Sequence, residues 1–340
     1  MKNKYADILS QVNNDQRGVS DSILIIDGMN CFLRAFTMIN HINPEGHHIG
    51  GLTGFLKSVG YAIKMIEPTK VVIVFDGAGG SNSKRNLYPE YKANRNKNRM
   101  TNYAIFSNKE EERDSINNQM ARLIQYLQCL PVSMICIDGI EADDAMGYLV
   151  GKFQKFDATK EVTIMSADQD FIQLVSDKVK VYSPIKKKIY KPKDVIEEYK
   201  VSCYNYINYK ILMGDASDNL PGIDGLGPKK VLKMFPELAS DTPTTLNEMV
   251  EKAASKIGEH ELYARIVERK HQLEINSKLM NLQTMPLSDA NIEHIQSSFK
   301  APYELNSHMF MQMYTSDKLG ESIANTPTWL NQVFGPLNFK

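Results

Sequence analysis

Apolar residues in the first half of the chain gather into short continuous runs, each ending on a carboxylate. Ile23 to Ile26 runs into Asp27, and Val71 to Phe75 runs into Asp76. Ser133 to Ile137 leads to Asp138, then Glu141, Asp143 and Asp144, and Val162 to Met165 leads to Asp168 and Asp170. Continuous runs of this length, bounded by turn residues, predict strands buried on both faces of a parallel sheet. Between them the period lengthens. Residues 52–66 predict a helix, 119–130 a second with Met120, Leu123, Ile124 and Leu127 on one face, and 145–153 a third. This alternation over 21 to about 200 predicts an α/β fold, a mainly parallel central sheet flanked by helices. Residues 77–118 break the pattern. They are long, polar and almost free of aliphatic side chains, which in a compact domain marks a functional or disordered connection. From Tyr204 the pattern becomes mainly helical, and beyond about Met285 it loses clear periodicity among Pro286, Pro302, Pro327 and Pro336.

Ligands of parallel sheets gather outside the carboxyl ends of the strands, so the run-ending acids are expected on one rim. Like charges there repel by roughly 1 kcal/mol per pair in water, and by more where water is excluded. Such a rim requires bound cations. For any one of Asp143, Asp144, Asp168 or Asp170 a helix cap is the better reading, but capping does not account for the whole set. Asp215 and Asp218 add two more acids, able to face one point if their turn is helical. Hard oxygen donors without His or Cys suit Mg²⁺ or Mn²⁺. The number of acids exceeds one ion's needs, which favours two ions about 4 Å apart, spaced to hold the attacking water and the leaving oxygen of a phosphodiester.

Bulk properties change this picture little. The 340 residues carry 40 Lys plus Arg and 40 Asp plus Glu, so a globally basic nucleic-acid binder is excluded while a local basic patch is not. The four cysteines are scattered without a CxxC pair, as reduced thiols are, and the seven histidines lack ligand spacing. No apolar run reaches the roughly 20 residues that span a bilayer, and the polar segment 1–20 has no signal-peptide core, so a soluble cytoplasmic protein is expected. One basic patch stands out directly after Asp76. Lys84, Arg85, Lys92 and Arg95 interleave with Tyr88 and Tyr91, cations for phosphates and rings for stacking on bases. A solvated loop is the plainer alternative. If Lys92 and Arg95 share a helical face they can reach a scissile phosphate. A second candidate is the turn Gly222, Gly225, Gly227, Pro228, Lys229, Lys230 between two helical stretches, where backbone amides can approach a phosphate closely.

Taken in order, these stretches resemble the 5′-nuclease or flap-endonuclease family. Nearest in pattern are the stand-alone phage 5′→3′ exonucleases of ribonuclease H type and the 5′-nuclease domain of bacterial DNA polymerase I. The matching segments are Ile25 to Gly28 with Arg34 to Phe36, Phe75 to Gly77, Tyr88 to Arg95, Glu141 to Asp144, Ser166 to Asp170, and Gly214 to Asn219 running into the glycine loop. The resemblance implies a PIN-like α/β nuclease domain over 21–203 with an arch at 77–118. It implies a helical duplex-binding region over 204–300 that contains a helix–three-turn–helix at 204–236, with extensions at 1–20 and 301–340. It implies two Mg²⁺ ions, the first held by Asp27, Asp76, Glu141, Asp143 and Asp168, the second by Asp144, Asp170, Asp215 and Asp218. Lys92 and Arg95 become catalytic cations on the arch and Tyr91 a stacking ring, with Arg34, Lys84, Arg85 and the glycine loop as further nucleic-acid contacts. K⁺ is implied at that loop, although Lys230 stands where the family carries a small residue. The implied activity is 5′→3′ exonuclease, flap endonuclease and ribonuclease H action on branched DNA and RNA–DNA hybrids, removing primers during replication. The implied protein is a monomer that recruits a single-strand-binding protein or a sliding clamp. A PIN-type endoribonuclease and a non-catalytic branched-DNA-binding factor are the alternatives.

Overall fold

The apolar runs fold as the parallel strands β1 (Ser22–Asp27), β2 (Lys70–Asp76), β3 (Ser133–Ile137) and β4 (Glu161–Met165). Parallel β5 (Val179–Ser183) and antiparallel β6 (Lys188–Tyr190) complete a sheet of order β3-β2-β1-β4-β5-β6. The computed structural model describes residues 21–96, 100–156, 160–284, 287–301 and 303–339, so the extension expected at 1–20 lies outside the described residues. The chain winds outward from β1 to β3 and then returns to the other side of β1 as β4. Strand order therefore reverses between β1 and β4, where a parallel sheet opens a crevice at its carboxyl edge.

Alternate residues of each strand enter different cores. Leu24, Ile26, Ile73 and Phe75 pack on one face, Ile23, Ile25, Val72 and Val74 on the other. Both faces are covered, which is why the runs are continuous instead of alternating. Helices Gly28–Met38, Gly50–Ile66 and Lys109–Leu127 cover the first face, and Ala142–Phe156 with Asp289–Lys300 cover the second. The helix expected at 119–130 begins ten residues earlier, at Lys109. Asn108 caps it by accepting the amides of Glu110 and Glu111, and three glutamates fill its first turn. Capping and dipole signals carry no apolar period, so the far end of the polar segment 77–118 is helical where a connection was expected.

Residues 201–280 build a third core around Val201, Ile211, Leu212, Val231, Phe235, Met249, Ile266 and Leu273. Within it helix Tyr206–Met213 runs into a two-strand clasp, β7 (Gly214–Asp215) and β8 (Leu220–Pro221). Asp215 thus ends β7 and Asp218 lies in the hairpin loop after it, so the helical turn that would have let both face one point is not formed. Pro228 opens helix Pro228–Met234 as expected. No helix among the described residues is long and apolar enough to cross a membrane.

The segment after residue 301 is part of the first core. Helices Ser307–Ser316 and Thr326–Phe334 insert Phe310, Tyr314, Leu330 and Phe334 beside Phe55 and Tyr126. Trp329 lies so close to Gly60 that a Cβ there would meet its ring at 2.7 Å. Asp317 clamps this segment to helix Lys109–Leu127. It accepts from Arg122 Nε at 2.7 Å, Arg122 Nη2 at 2.8 Å and the Tyr126 hydroxyl at 2.8 Å. Asp317→Ala leaves a half-buried guanidinium and a phenol without their acceptor, and is expected to cost about 2 kcal/mol. Urea unfolding measures this, and a loss below about 0.5 kcal/mol would show that the clamp does not hold the segment.

Candidate metal centre

Several rim carboxylates cap helical segments. Asp27 ends β1 and caps helix Gly28–Met38, accepting from the Asn30 amide at 3.1 Å, while its other oxygen accepts from the Ser166 hydroxyl at 2.8 Å. Asp76 ends β2 and accepts from the amide of Ala142 at 2.8 Å, so it caps a helix from another part of the chain. Asp168 follows β4 and accepts from the Asp170 amide at 2.9 Å. Burial pushes the Asp27 carboxyl up to about 7 against those two hydrogen bonds, and the charges of Asp76 and Asp168 push the same way. Because β2, β1 and β4 are adjacent and parallel, Asp76, Asp27 and Asp168 stand at the same edge of the sheet.

A second set surrounds one lysine. Lys84, only 3 % exposed, puts its Nζ 2.7 Å from Glu141 Oε2, 2.8 Å from Asp144 Oδ1 and 3.5 Å from Asp143 Oδ1. One oxygen each of Glu141, Asp143 and Asp144 lie within 4.8 Å of one another. Asp144 thus groups with Glu141 and Asp143 around Lys84, apart from Asp170 and Asp215, with which the resemblance put it. Burial and the neighbouring Asp143 push Asp144 up to about 7. Burial also works on Glu141, but Lys84 and Lys92 outweigh it and hold that carboxyl at about 2. Burial lowers the Lys84 ammonium's affinity for its proton, and the three acids more than restore it.

A third set is organised by a residue the sequence did not single out. Lys210, on helix Tyr206–Met213, places its Nζ 2.7 Å from both Asp170 Oδ1 and Asp215 Oδ2. Burial drives Asp170 up to about 7, whereas Lys210 and the Ser217 hydroxyl overcome burial at Asp215 and hold it at about 2. Asp144 Oδ1 and Asp170 Oδ1 are buried and have no directed hydrogen bond, only these ammonium charges. Buried, hard, under-satisfied oxygens are a donor set that fits divalent cations. Asp218 stands nearer the arch, paired with Arg95 Nη2 at 2.5 Å.

The basic segment after Asp76, where the arch is expected, packs onto this rim. Helix Asn82–Leu87 carries Lys84 inward, and the 3₁₀ turn Ala93–Asn96 follows Lys92. Lys92 holds the left-handed backbone region at φ 56°, an uncommon and strained conformation for a side chain of this size. Its amide donates to Asp218 O at 2.9 Å and its Nζ reaches Glu141 Oε1 at 2.5 Å. Asn94 Nδ2 and Arg95 Nε donate to the carbonyls of Ala216 and Ser217, and Asn219 Nδ2 donates back to Glu90 O. Lys92 and Arg95 thus share one end of the rim without sharing a helix.

Two nucleic-acid expectations are corrected here. Tyr91 is 2 % exposed and donates its hydroxyl to Glu141 Oε2 at 3.0 Å, so its ring packs in the third core and does not stack on a base in this arrangement. Lys84 is spent on carboxylates and not on phosphates. Arg85 is exposed, and Arg34 is half-buried with Nη2 donating to Pro184 O at 3.2 Å. In the glycine loop, a Cβ on Gly222 would lie 2.3 Å from Met213 O, so this glycine serves close backbone packing, while Gly225 takes φ 81°. Gly227 has open space around it, and Lys229 and Lys230 are exposed. Lys230 Nζ donates to Gly225 O and Arg265 Nη1 to Asp224 O, both at 2.9 Å, and the Ile223 and Gly227 carbonyls accept backbone amides. Each of these carbonyls accepts a hydrogen bond, so a cation at this loop would share their remaining lone pairs. Ser81 and Ser166, which donate to Glu141 and Asp27, were also missed; an isolated serine carries no sequence signal for such a role.

Comparison with known proteins agrees with this geometry. Residues 22–200 match the model of the 5′-3′ exonuclease N-terminal resolvase-like domain, and 201–302 match the 5′-3′ exonuclease C-terminal SAM fold. The 5′-3′ exonuclease of Bacillus subtilis is 31% identical over 227 residues, covering 64% of this chain and 71% of that protein. That of Buchnera aphidicola subsp. Schizaphis graminum is 30% identical over 220 residues with the same coverage. Among solved structures, bacteriophage T5 flap endonuclease in a pseudo-enzyme–product complex with DNA and metal ions aligns with a TM-score of 0.64 at 19% identity, covering 88% of this chain and 99% of that one. T5 5′-exonuclease with bound zinc aligns at 0.63 and 20% identity, covering 88% and 98%. The chain belongs to the 5′-3′ exonuclease family, nucleases that hydrolyse phosphodiester bonds.

The raised carboxyl of Asp27 has a stability consequence. A group that binds its proton more tightly when folded contributes stability that is complete below its unfolded value and lost as pH rises through its folded one. In chelator, the unfolding midpoint of wild type is therefore expected to fall relative to that of Asp27→Asn as pH rises from about 4 to about 7. Thermal melts of the two proteins across that range check it. A constant or rising difference would mean that Asp27 is not held above its ordinary value.

Proposed function

We propose that the chain is a Mg²⁺-dependent 5′→3′ exonuclease and flap endonuclease with ribonuclease H activity, removing RNA primers and 5′ flaps during replication. The observation that carries the reading is the docking of arch cations Lys92 and Arg95 on the rim that gathers the strand-end acids. Asp27, Asp76, Glu141, Asp143 and Asp144 would hold one divalent ion, and Asp168, Asp170, Asp215 and Asp218 a second. Bound there, the ions supply Lewis-acid activation of water and neutralisation of the leaving oxygen.

The remaining chemistry falls to the chain's own side chains. Lys92 and Arg95 each rest on a carboxylate, close enough to the rim to shift onto a phosphate that arrives there. In that position they offset the charge that develops on the phosphate in the transition state. The exposed pair Lys229 and Lys230, beside open Gly227, would neutralise phosphates of the duplex behind the junction without reading bases. Branched DNA and RNA–DNA hybrids are the substrates this division suits, with the 5′ strand on the arch side and duplex on the loop side.

Asp168→Asn is expected to abolish Mg²⁺-dependent cleavage of a 5′-labelled flap while leaving its binding intact. Cleavage at wild-type rate would reject the proposed centre. Lys92→Ala is expected to slow single-turnover cleavage by roughly 100-fold with a much smaller loss in affinity for the same flap in Ca²⁺. Equal losses in both would make Lys92 a backbone contact only.

A further inference from the structure

Lys210 lies outside every motif that identifies the site, yet its ammonium occupies the middle of one acid group. It is 15 % exposed, and it faces Asp170 Oδ1 and Asp215 Oδ2 at the same 2.7 Å. Both oxygens have little else to bind. Asp170 Oδ1 is buried without a directed hydrogen bond. At Asp215 the backbone amides of Ser217 and Asp218 and the Ser217 hydroxyl all donate to Oδ1, leaving Oδ2 to the lysine alone. The two oxygens are thus bridged by the chain's own cation.

We propose that Lys210 is the resident cation of this acid group and sets how tightly the second divalent ion binds. An ammonium and a divalent ion cannot occupy the same gap between Asp170 Oδ1 and Asp215 Oδ2, so the ion enters by exchange with the ammonium. Two carboxylates against one lysine leave a single net negative charge, weak attraction for an ion that must shed water. The group at Glu141 differs. With Asp27 and Asp76 that set has five carboxylates against Lys84 and Lys92, leaving three negative charges, whereas the four acids of the second set against Lys210 and Arg95 leave two. The first ion therefore binds where the charge deficit is larger, and the second is limited by the lysine. The proposal rests on the two-ion reading above and adds a residue that positions the second ion without touching the reacting atoms.

The test is calorimetric titration of the full chain with Ca²⁺, for wild type, Lys210→Met and Lys210→Arg. Removing a positive charge within about 4 Å of a divalent ion is worth at least tenfold in affinity even at the dielectric of water. Lys210→Met is expected to bind the second Ca²⁺ at least about tenfold tighter with the first unchanged, while Lys210→Arg keeps the wild-type isotherm. In chelator Lys210→Met is expected to melt at lower temperature than wild type, because Asp170 loses its counter-ion, and to recover the difference in Ca²⁺. Such recovery separates an exchanged cation from a merely structural lysine. Two ions in both proteins with the second no tighter in Lys210→Met would overturn the role of Lys210 and leave the two-ion reading standing. A single ion in both at saturating Ca²⁺ would overturn both.

Discussion

Repulsion among carboxylates gathered at the carboxyl edge of one sheet is the constraint from which the site follows. Buried acids of like sign cannot stand together uncompensated, because in a water-poor place each unpaired charge costs several kcal/mol. The chain answers with its own cations. Lys84 stands among Glu141, Asp143 and Asp144, Lys210 between Asp170 and Asp215, and Arg95 on Asp218. Lys84 and Lys210 are themselves largely buried and would be as costly without the acids. Each set is thus tolerable only as a set, and removing one partner leaves the other exposed to the full desolvation penalty. The same pairing explains how a protein of zero net charge can carry so acidic a centre.

This compensation also shapes the arch. Lys84, Tyr91 and Lys92 come from the same 16-residue basic segment, and all three end on Glu141. One carboxylate fixes the near limb of the arch, and the left-handed backbone at Lys92 is the turn that lets side chain and amide reach Glu141 and Asp218 together. The acids in turn owe their positions to the fold more than to the charges. Asp27 and Asp168 start helical segments on their own strands, and Asp76 starts the helix that bears Asp143 and Asp144. Capping is worth about 1 kcal/mol per residue, so secondary structure holds these oxygens in place whatever occupies the rim.

Much of this was legible from the sequence because it rests on short-range signals. Continuous apolar runs gave the four central strands, and the acids at their ends pointed to one rim. The Asp-rich and Gly-rich segments matched a family in order. What was not legible depends on three-dimensional encounter. The helix that starts at Lys109 is polar in its first turns and held by a cap. The grouping of Asp144 around Lys84 was not legible, because spacing within Glu141 to Asp144 does not say which oxygens converge. Tyr91 and Lys84 were taken for surface residues, since an exposed basic segment and one folded over an acidic rim look alike in sequence. Lys210 had no signal at all, being a single lysine in an otherwise apolar helix. The segment after 301 lacked periodicity because its helices are short and linked by turns, yet Phe310 and Phe334 are fully buried.

The other end of this segment is anchored separately. Glu112 gathers the amides of Thr101 and Asn102 and the Thr101 hydroxyl, and Asn102 Nδ2 donates to Phe36 O at 3.1 Å. Phe106 then stacks on Phe36 with ring centroids 5.5 Å apart and planes 3° from parallel. Phe36 lies on helix Gly28–Met38, whose cap is Asp27. One foot of the arch therefore stands on Glu141 and Asp218, and the other on a helix that begins at an acid of the same rim. Any change in what neutralises the rim acts directly on the near foot, through ammonium groups that must find new partners. The far foot is held by a carboxylate and an aromatic stack that no rim charge touches.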